Sequence, residues 1–272
     1  MIKKAGRNTN FKVGAILLCL FLILLILSLI CTPYDPNKMN TQAKFQPPSF
    51  QHLLGTDNFG RDIFSRVMKG AQTVCFVGFT SVAIGLAAGF ILGAVSGYLG
   101  GPADEVIMRL MDAQMAFPGI ILALVLITLI GPGSVSTALA LGVTAVPRFC
   151  RITRACFMQI KELDYIKAAK SRGASVPRLI ACHILPNMLS PLIVTATLAF
   201  STAILAEAGL SYLGLGIQPP QPSWGKMLFE AQAYLLTNPW YAFIPGCMIT
   251  LTVLGFNLLG DGLRDLTDTK TL

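Results

Sequence analysis

Long uncharged apolar runs alternate with short charged segments along the whole chain. Residues 13–34 carry no charge, nor do 70–103, 113–147, 179–206 and 231–260. A charge inside a bilayer costs about 2.5–3.5 kcal/mol on insertion scales, so these runs mark candidate spans. The run 113–147 is too long for one crossing of a hydrocarbon layer ~30 Å thick. It is broken by Gly131-Pro132-Gly133, which a continuous helix tolerates badly. The pattern predicts an all-α polytopic membrane protein with six spans, at 13–31, 74–98, 104–130, 134–156, 187–207 and 239–261. The third of these bends at Pro118. Helices are expected because a spanning helix satisfies its own backbone groups.

Composition supports this reading. Of 272 residues, 54% are hydrophobic and 12% are charged, against about 25% charged in an ordinary soluble domain. A disordered tail, a disulfide-dense secreted module and a water-soluble enzyme are excluded. Fifteen of the 21 Lys and Arg residues fall on one side if the N-terminus is inside. They are Lys3, Lys4, Arg7, Lys12, Arg109, Arg264, Lys270 and a block of Arg148, Arg151, Arg154, Lys161, Lys167, Lys170, Arg172 and Arg178. The bias places the tails 1–12 and 262–272 and the segment 157–186 in the cytoplasm. Segments 32–73 and 208–238 then lie outside. The net charge of +8 reads as topology and attraction to the lipid bilayer, not nucleic-acid binding. The first run is expected to be an uncleaved anchor, since no A-x-A cleavage pattern follows it. The seven cysteines form no C-x-x-C or Cys/His metal spacing, although Cys31 and Cys75, both near the outer face, could meet.

Three local patterns carry more information. Gly85, Gly89, Gly93 and Gly97 recur every fourth residue and form a stripe without side chains, which suits close helix approach. Its partner is a helix of the same chain, a second subunit or the pore. The outer loop after the first span ends in residues 54–62, and the stretch 63–69 has helical amphipathic spacing, expected to lie on the outer surface. In the cytoplasmic segment, Asp164 is placed to cap a helix running through Tyr165, Ile166, Lys167, Ala168 and Ala169. Gly173 stops it, because glycine accepts the left-handed conformation. After Ala174, Ser175 is placed to cap a second helix with Pro177 in its first turn, ending at Leu185 before Pro186. The expected product is a basic helix–Gly–helix elbow with a small-residue patch.

At this elbow the chain resembles the integral-membrane subunit of binding-protein-dependent ABC importers. The family signature is Glu-Ala-Ala, three residues, Gly, nine residues, then Ile-x-Leu-Pro. Here Ala168-Ala169 precedes Gly173, and His183-Ile184-Leu185-Pro186 follows at the same spacing. Lys167 stands in place of the Glu and His183 in place of the Ile. The form His183-Ile184-Leu185-Pro186-Asn187 is similar to the dipeptide/oligopeptide/nickel branch. So are residues 54–66, residues 210–216 with Pro219-Pro220 and Pro222-Ser223-Trp224-Gly225, and residues 256–265. The single N-terminal loop and lack of extra spans resemble the C-type permease of a pair.

The resemblance implies a type I importer permease fold with a permease core over about 70–261. It implies a second homologous permease subunit, two cytoplasmic ABC ATPases carrying ATP and Mg, and an extracytoplasmic solute-binding protein. The elbow would be the ATPase-coupling region, with Tyr165 to Ala169, Gly173 to Ser175, His183, Leu185 and Pro186 as its residues. This chain has no phosphate-binding loop of its own and is expected to bind no cofactor or metal. The implied cargo is a di- or oligopeptide, with nickel or a metal–chelate as the alternative. Within the spans, Asp112 is three residues from Arg109 and could pair with it. Asp261 ends the sixth span. Glu207 faces the outer mouth and, with Trp224, is a candidate contact for cargo or binding protein. So few intramembrane charges argue against a proton-coupled secondary transporter, and the absence of an H-E-x-x-H cluster argues against a membrane peptidase.

Overall fold

The computed structural model describes residues 8–267. The predicted tails beyond these limits, with Lys3, Lys4, Arg7 and Lys270, lie outside the described residues. Among the described residues five helices are long and apolar enough to cross a membrane, and a pair bent by 89° passes the same test only when its two helices are taken together.

Helix α1 (Thr9–Ile30) begins four residues before the predicted span, because the Asn8 side chain accepts a hydrogen bond from the Phe11 N–H at 3.0 Å. Charge marks where the bilayer stops, whereas caps mark where the helix stops. Helix α2 (Ile63–Leu99) corrects the expectation of a separate amphipathic helix on the outer surface. Residues 63–69 are its first two turns, and Ile63, Ser65, Arg66 and Val67 are buried. Asp62 caps it, its Oδ2 accepting from the Ser65 N–H and hydroxyl, both at 2.7 Å. Nothing between 63 and 99 breaks the helix. At Gly70 the missing side chain is replaced by the Trp224 indole.

The third crossing is not one bent helix. Helix α3 (Gly101–Met115) and helix α4 (Gly119–Ile130) meet at 89° around Phe117-Pro118, since the residue before a proline leaves the α region. Helix α5 (Ser134–Ile160) follows the Gly131-Pro132-Gly133 break. The glycine stripe of α2 packs on it. A Cβ at Gly89 would stand 2.5 Å from that of Phe149 and 2.8 Å from the Cys150 nitrogen, and one at Gly93 would run into the Cys150 oxygen. The stripe is therefore an intrachain contact in which two backbones nearly touch.

Helix α6 (Asp164–Ser171) and helix α7 (Val176–Leu179) form the elbow. A π-helical turn, Ile180–Ile184, leads into helix α8 (Leu185–Tyr212). Pro186 therefore lies inside a continuous helical stretch instead of ending one, and the wider π turn before it admits its ring. Helix α9 (Trp224–Ala231) tucks back against α8 and helix α10 (Pro239–Thr267). Asp261 is exposed on α10, which runs on to Thr267.

Candidate functional site: coupling elbow and translocation path

The elbow is a surface element with two firm anchors. Ile166 of α6 is buried with Phe157 and Ile160 of α5, Ile184, and Met188 of α8. The Tyr165 hydroxyl accepts from Asn187 at 3.2 Å, and its ring lies 6.3 Å from that of His183. Lys167, Ala168, Lys170 and Arg172 are exposed, while Ala169, Ala174, His183 and Leu185 are half-buried. Gly173 has φ +82 with open space around it, so backbone conformation and not crowding selects glycine. The Ala174 N–H reaches the Ala169 oxygen at 3.1 Å and closes the turn.

Two capping expectations are corrected here. Leu163, not Asp164, occupies the cap position of α6, and Asp164 is the first helical residue, where its charge complements the helix dipole. Ser175 precedes α7 with no capping hydrogen bond from its side chain. Lys167 pairs with Glu162 at 3.2 Å, both side chains more than half exposed, a surface pair of about 0–1 kcal/mol.

Above the elbow, α5 and α8 diverge around two cavities. One, of about 130 Å³, is walled by Ser81 and Val82 of α2, Thr144 of α5, and Ala199 and Thr202 of α8. The other, about 530 Å³, is walled by Ile152, Ser190, Val194, Thr195 and Arg264. Arg148 lines both. The other arginines of α5 face away from them. Arg151 reaches Asp112 at 2.6 Å and Arg154 grips Asp104 at 2.5 and 2.6 Å, tying α3 to α5. The expected Arg109–Asp112 pair does not form, because Arg109 bonds Glu105 at 2.7 Å, one turn earlier on the same helix.

At the opposite end of the bundle the charges are buried. Asp57 accepts from the Phe59 and Arg61 N–H groups at 2.8 and 2.9 Å and from Arg61 Nε at 2.6 Å. Arg61 also donates to Glu230 at 2.6 Å, and Arg66 lies 3.4 Å from the same carboxylate. The Tyr241 hydroxyl donates to Glu230 at 3.1 Å. Burial by itself lowers the Arg61 pKa, but Asp57 and Glu230 outweigh it and hold the guanidinium above its ordinary value. This cluster pins the long loop to α9 and α10. Glu230 and Tyr241 were not foreseen, since neither sits in a charged pattern that marks a partner 169 residues away.

Trp224 is fully buried, its Nε1 donating to the Val67 oxygen at 3.0 Å. Glu207 is buried and accepts from the Ser211 hydroxyl at 2.7 Å. Neither side chain is presented to solvent in this conformation. All seven cysteines are free thiols, Cys31 and Cys75 included.

The family described as "Binding-protein-dependent transport system inner membrane component" matches residues 85–272. The chain belongs to this family. It is thus an inner-membrane permease component of an importer whose ATPase and binding protein are other chains, and it is not itself the enzyme. The permease is 42% identical over 268 residues to the dipeptide transport system permease protein DppC of Alkalihalophilus pseudofirmus, covering 98% of this chain and 88% of that protein. It is 42% identical over 239 residues to the glutathione transport system permease protein GsiD of Pectobacterium atrosepticum, covering 88% and 79%. Its fold matches a chain of the inward-facing MetNI methionine ABC transporter with a TM-score of 0.59 at 20% identity, covering 74% of this chain and 94% of the other.

Proposed function

We propose that the permease forms half of a translocation path with a second homologous permease subunit. Two cytoplasmic ATPases, which hold ATP and Mg, sit beneath it, and an extracytoplasmic binding protein delivers di- and oligopeptides. The exposed basic face of α6, held to the bundle through buried Ile166, carries this reading. A short helix with exposed alanines fits a groove on a partner, and a firm anchor lets movement of that partner reach α5 and α8. ATP-driven closure then shifts a two-state bundle between outward- and inward-facing forms.

The elbow is tested with Gly173→Val, because a β-branched residue resists a positive φ. Peptide uptake falls to background while the amount inserted in the membrane is unchanged. Wild-type uptake by this variant would remove the elbow from the coupling path. The similarity to dipeptide and glutathione permeases supports peptide cargo. Calorimetric titration of the cognate binding protein with dipeptides, longer peptides and glutathione tests it, and failure of all three to bind would overturn it.

A further inference from the structure

The three arginines of α5 at 148, 151 and 154 differ in one respect. Arg151 and Arg154 have carboxylate partners on α3, whereas Arg148 has no ion-pair partner among the described residues. It is the first charge after the uncharged run 113–147, stands about 21 Å along a helix about 40 Å long, and is exposed. Its side chain lines both cavities, and neither wall contains a carboxylate. Four of the five hydroxyl side chains on these walls are already used, Ser190 excepted. Ser81, Thr144, Thr195 and Thr202 each donate to a carbonyl one turn back, at 2.7–3.0 Å. The walls thus offer methyl groups, mostly satisfied hydroxyls and a guanidinium at the junction, with Arg264 also lining the larger cavity. That cavity lies within the roughly 300–1,000 Å³ range of small-solute sites.

We infer that Arg148 is a cargo-contact residue that receives the carboxylate of a solute passing between the two cavities, the C-terminal carboxylate in the case of a peptide. The positive charge of the guanidinium and its N–H donors make a charge-assisted hydrogen bond to a carboxylate, which another cation at the position can largely replace. The contact orients the solute between walls that hold no carboxylate. The inference rests on the peptide reading of the transported solute.

The test uses the whole complex, both permeases and both ATPases, in proteoliposomes with the loaded binding protein. Uptake of alanyl-alanine is compared for wild type, Arg148→Lys and Arg148→Gln, alongside ATP hydrolysis and the subunit composition of the purified complex. Arg148→Lys keeps the charge and is expected to stay within about threefold of wild type. Arg148→Gln is expected to lose about tenfold in uptake, the equivalent of one charged hydrogen bond, with ATP hydrolysis and subunit composition unchanged. Wild-type uptake by Arg148→Gln would overturn the inference, as would equal loss in both variants. So would departure of the second permease from the Gln complex, which would make Arg148 a subunit contact. Glutathione, which also carries free carboxylates, is run in parallel. If the wild type moves glutathione but not alanyl-alanine, Arg148→Gln decides this inference on glutathione by the same criteria; if it moves neither, the peptide reading fails and this inference with it.

Discussion

The two ends of the bundle handle charge in opposite ways. At the end carrying the long loop, buried Asp57, Arg61 and Arg66 and half-buried Glu230 are joined into one cluster. At the elbow end, Lys167, Lys170 and Arg172 stand in solvent, and the pair Lys167–Glu162 is exposed on both sides. Burying charges is tolerable only when each finds a partner, so the first arrangement specifies a single geometry. The second specifies a shape and a surface sign but little intrachain energy, as an element that must meet another protein requires. One end is a lock; under the proposed coupling role the other is a lever, with the apolar bundle between them.

The largest expected effect falls on that bundle. Gly89→Leu drives a side chain into the backbone of α5, where a Cβ alone already stands 2.8 Å from the Cys150 nitrogen. Folded, monodisperse protein should be lost in detergent, whereas Gly119→Ala, with open space around the position, should behave as wild type. Equal behaviour of the two would show that the α2–α5 contact is not the spine of the fold.

Next comes the lock. Arg61→Ala leaves Asp57 and Glu230 facing only Arg66, and breaking such a buried pair costs about 3–5 kcal/mol. A large fall in thermal midpoint is expected, read by tryptophan fluorescence, since Trp224 packs beside this region. A midpoint shift no larger than that of an exposed charge variant would erase the distinction between the two ends.

Ile166→Ala sharpens the lever. Truncating a buried isoleucine costs about 2–5 kcal/mol, here confined to the attachment of α6. Uptake should drop severely while the thermal midpoint of the spanning helices moves little. A parallel drop in both would mean that the elbow is part of the core and not a handle on it.

Lys167→Glu should be the mildest. It loses an exposed pair worth at most about 1 kcal/mol and places like charges beside Glu162. Stability should be unchanged. A large change in ATPase co-purification would identify position 167 as a specific contact with the partner, which the small intrachain energy does not require.

Legibility in the sequence followed the range of the interaction. The spans were readable because each uncharged run is a local property, and Gly173 was readable because a left-handed turn needs only its own residue and its neighbours. The continuity of α2 was not. Residues 63–69 have an amphipathic period whether they lie on a surface or open a buried helix, and only Trp224, far along the chain, covers Gly70. The pairing of Arg151 and Arg154 with α3, and the absence of such a partner at Arg148, depend on where the 89° break swings α3 and α4. In the sequence all three arginines were simply basic residues near a span's end.

The sequence by itself determined that this is a helical membrane protein, roughly where its long apolar helices fall, and that a glycine-hinged basic elbow separates two of them. Hydropathy, backbone satisfaction in lipid and left-handed glycine all act over a few residues, so they are written along the chain. The tertiary structure alone decided which helix meets the glycine stripe, which charges are locked and which arginine faces the cavities. These depend on residues tens to more than a hundred positions apart, whose meeting is set by packing and by the energetic need of each buried charge for a partner.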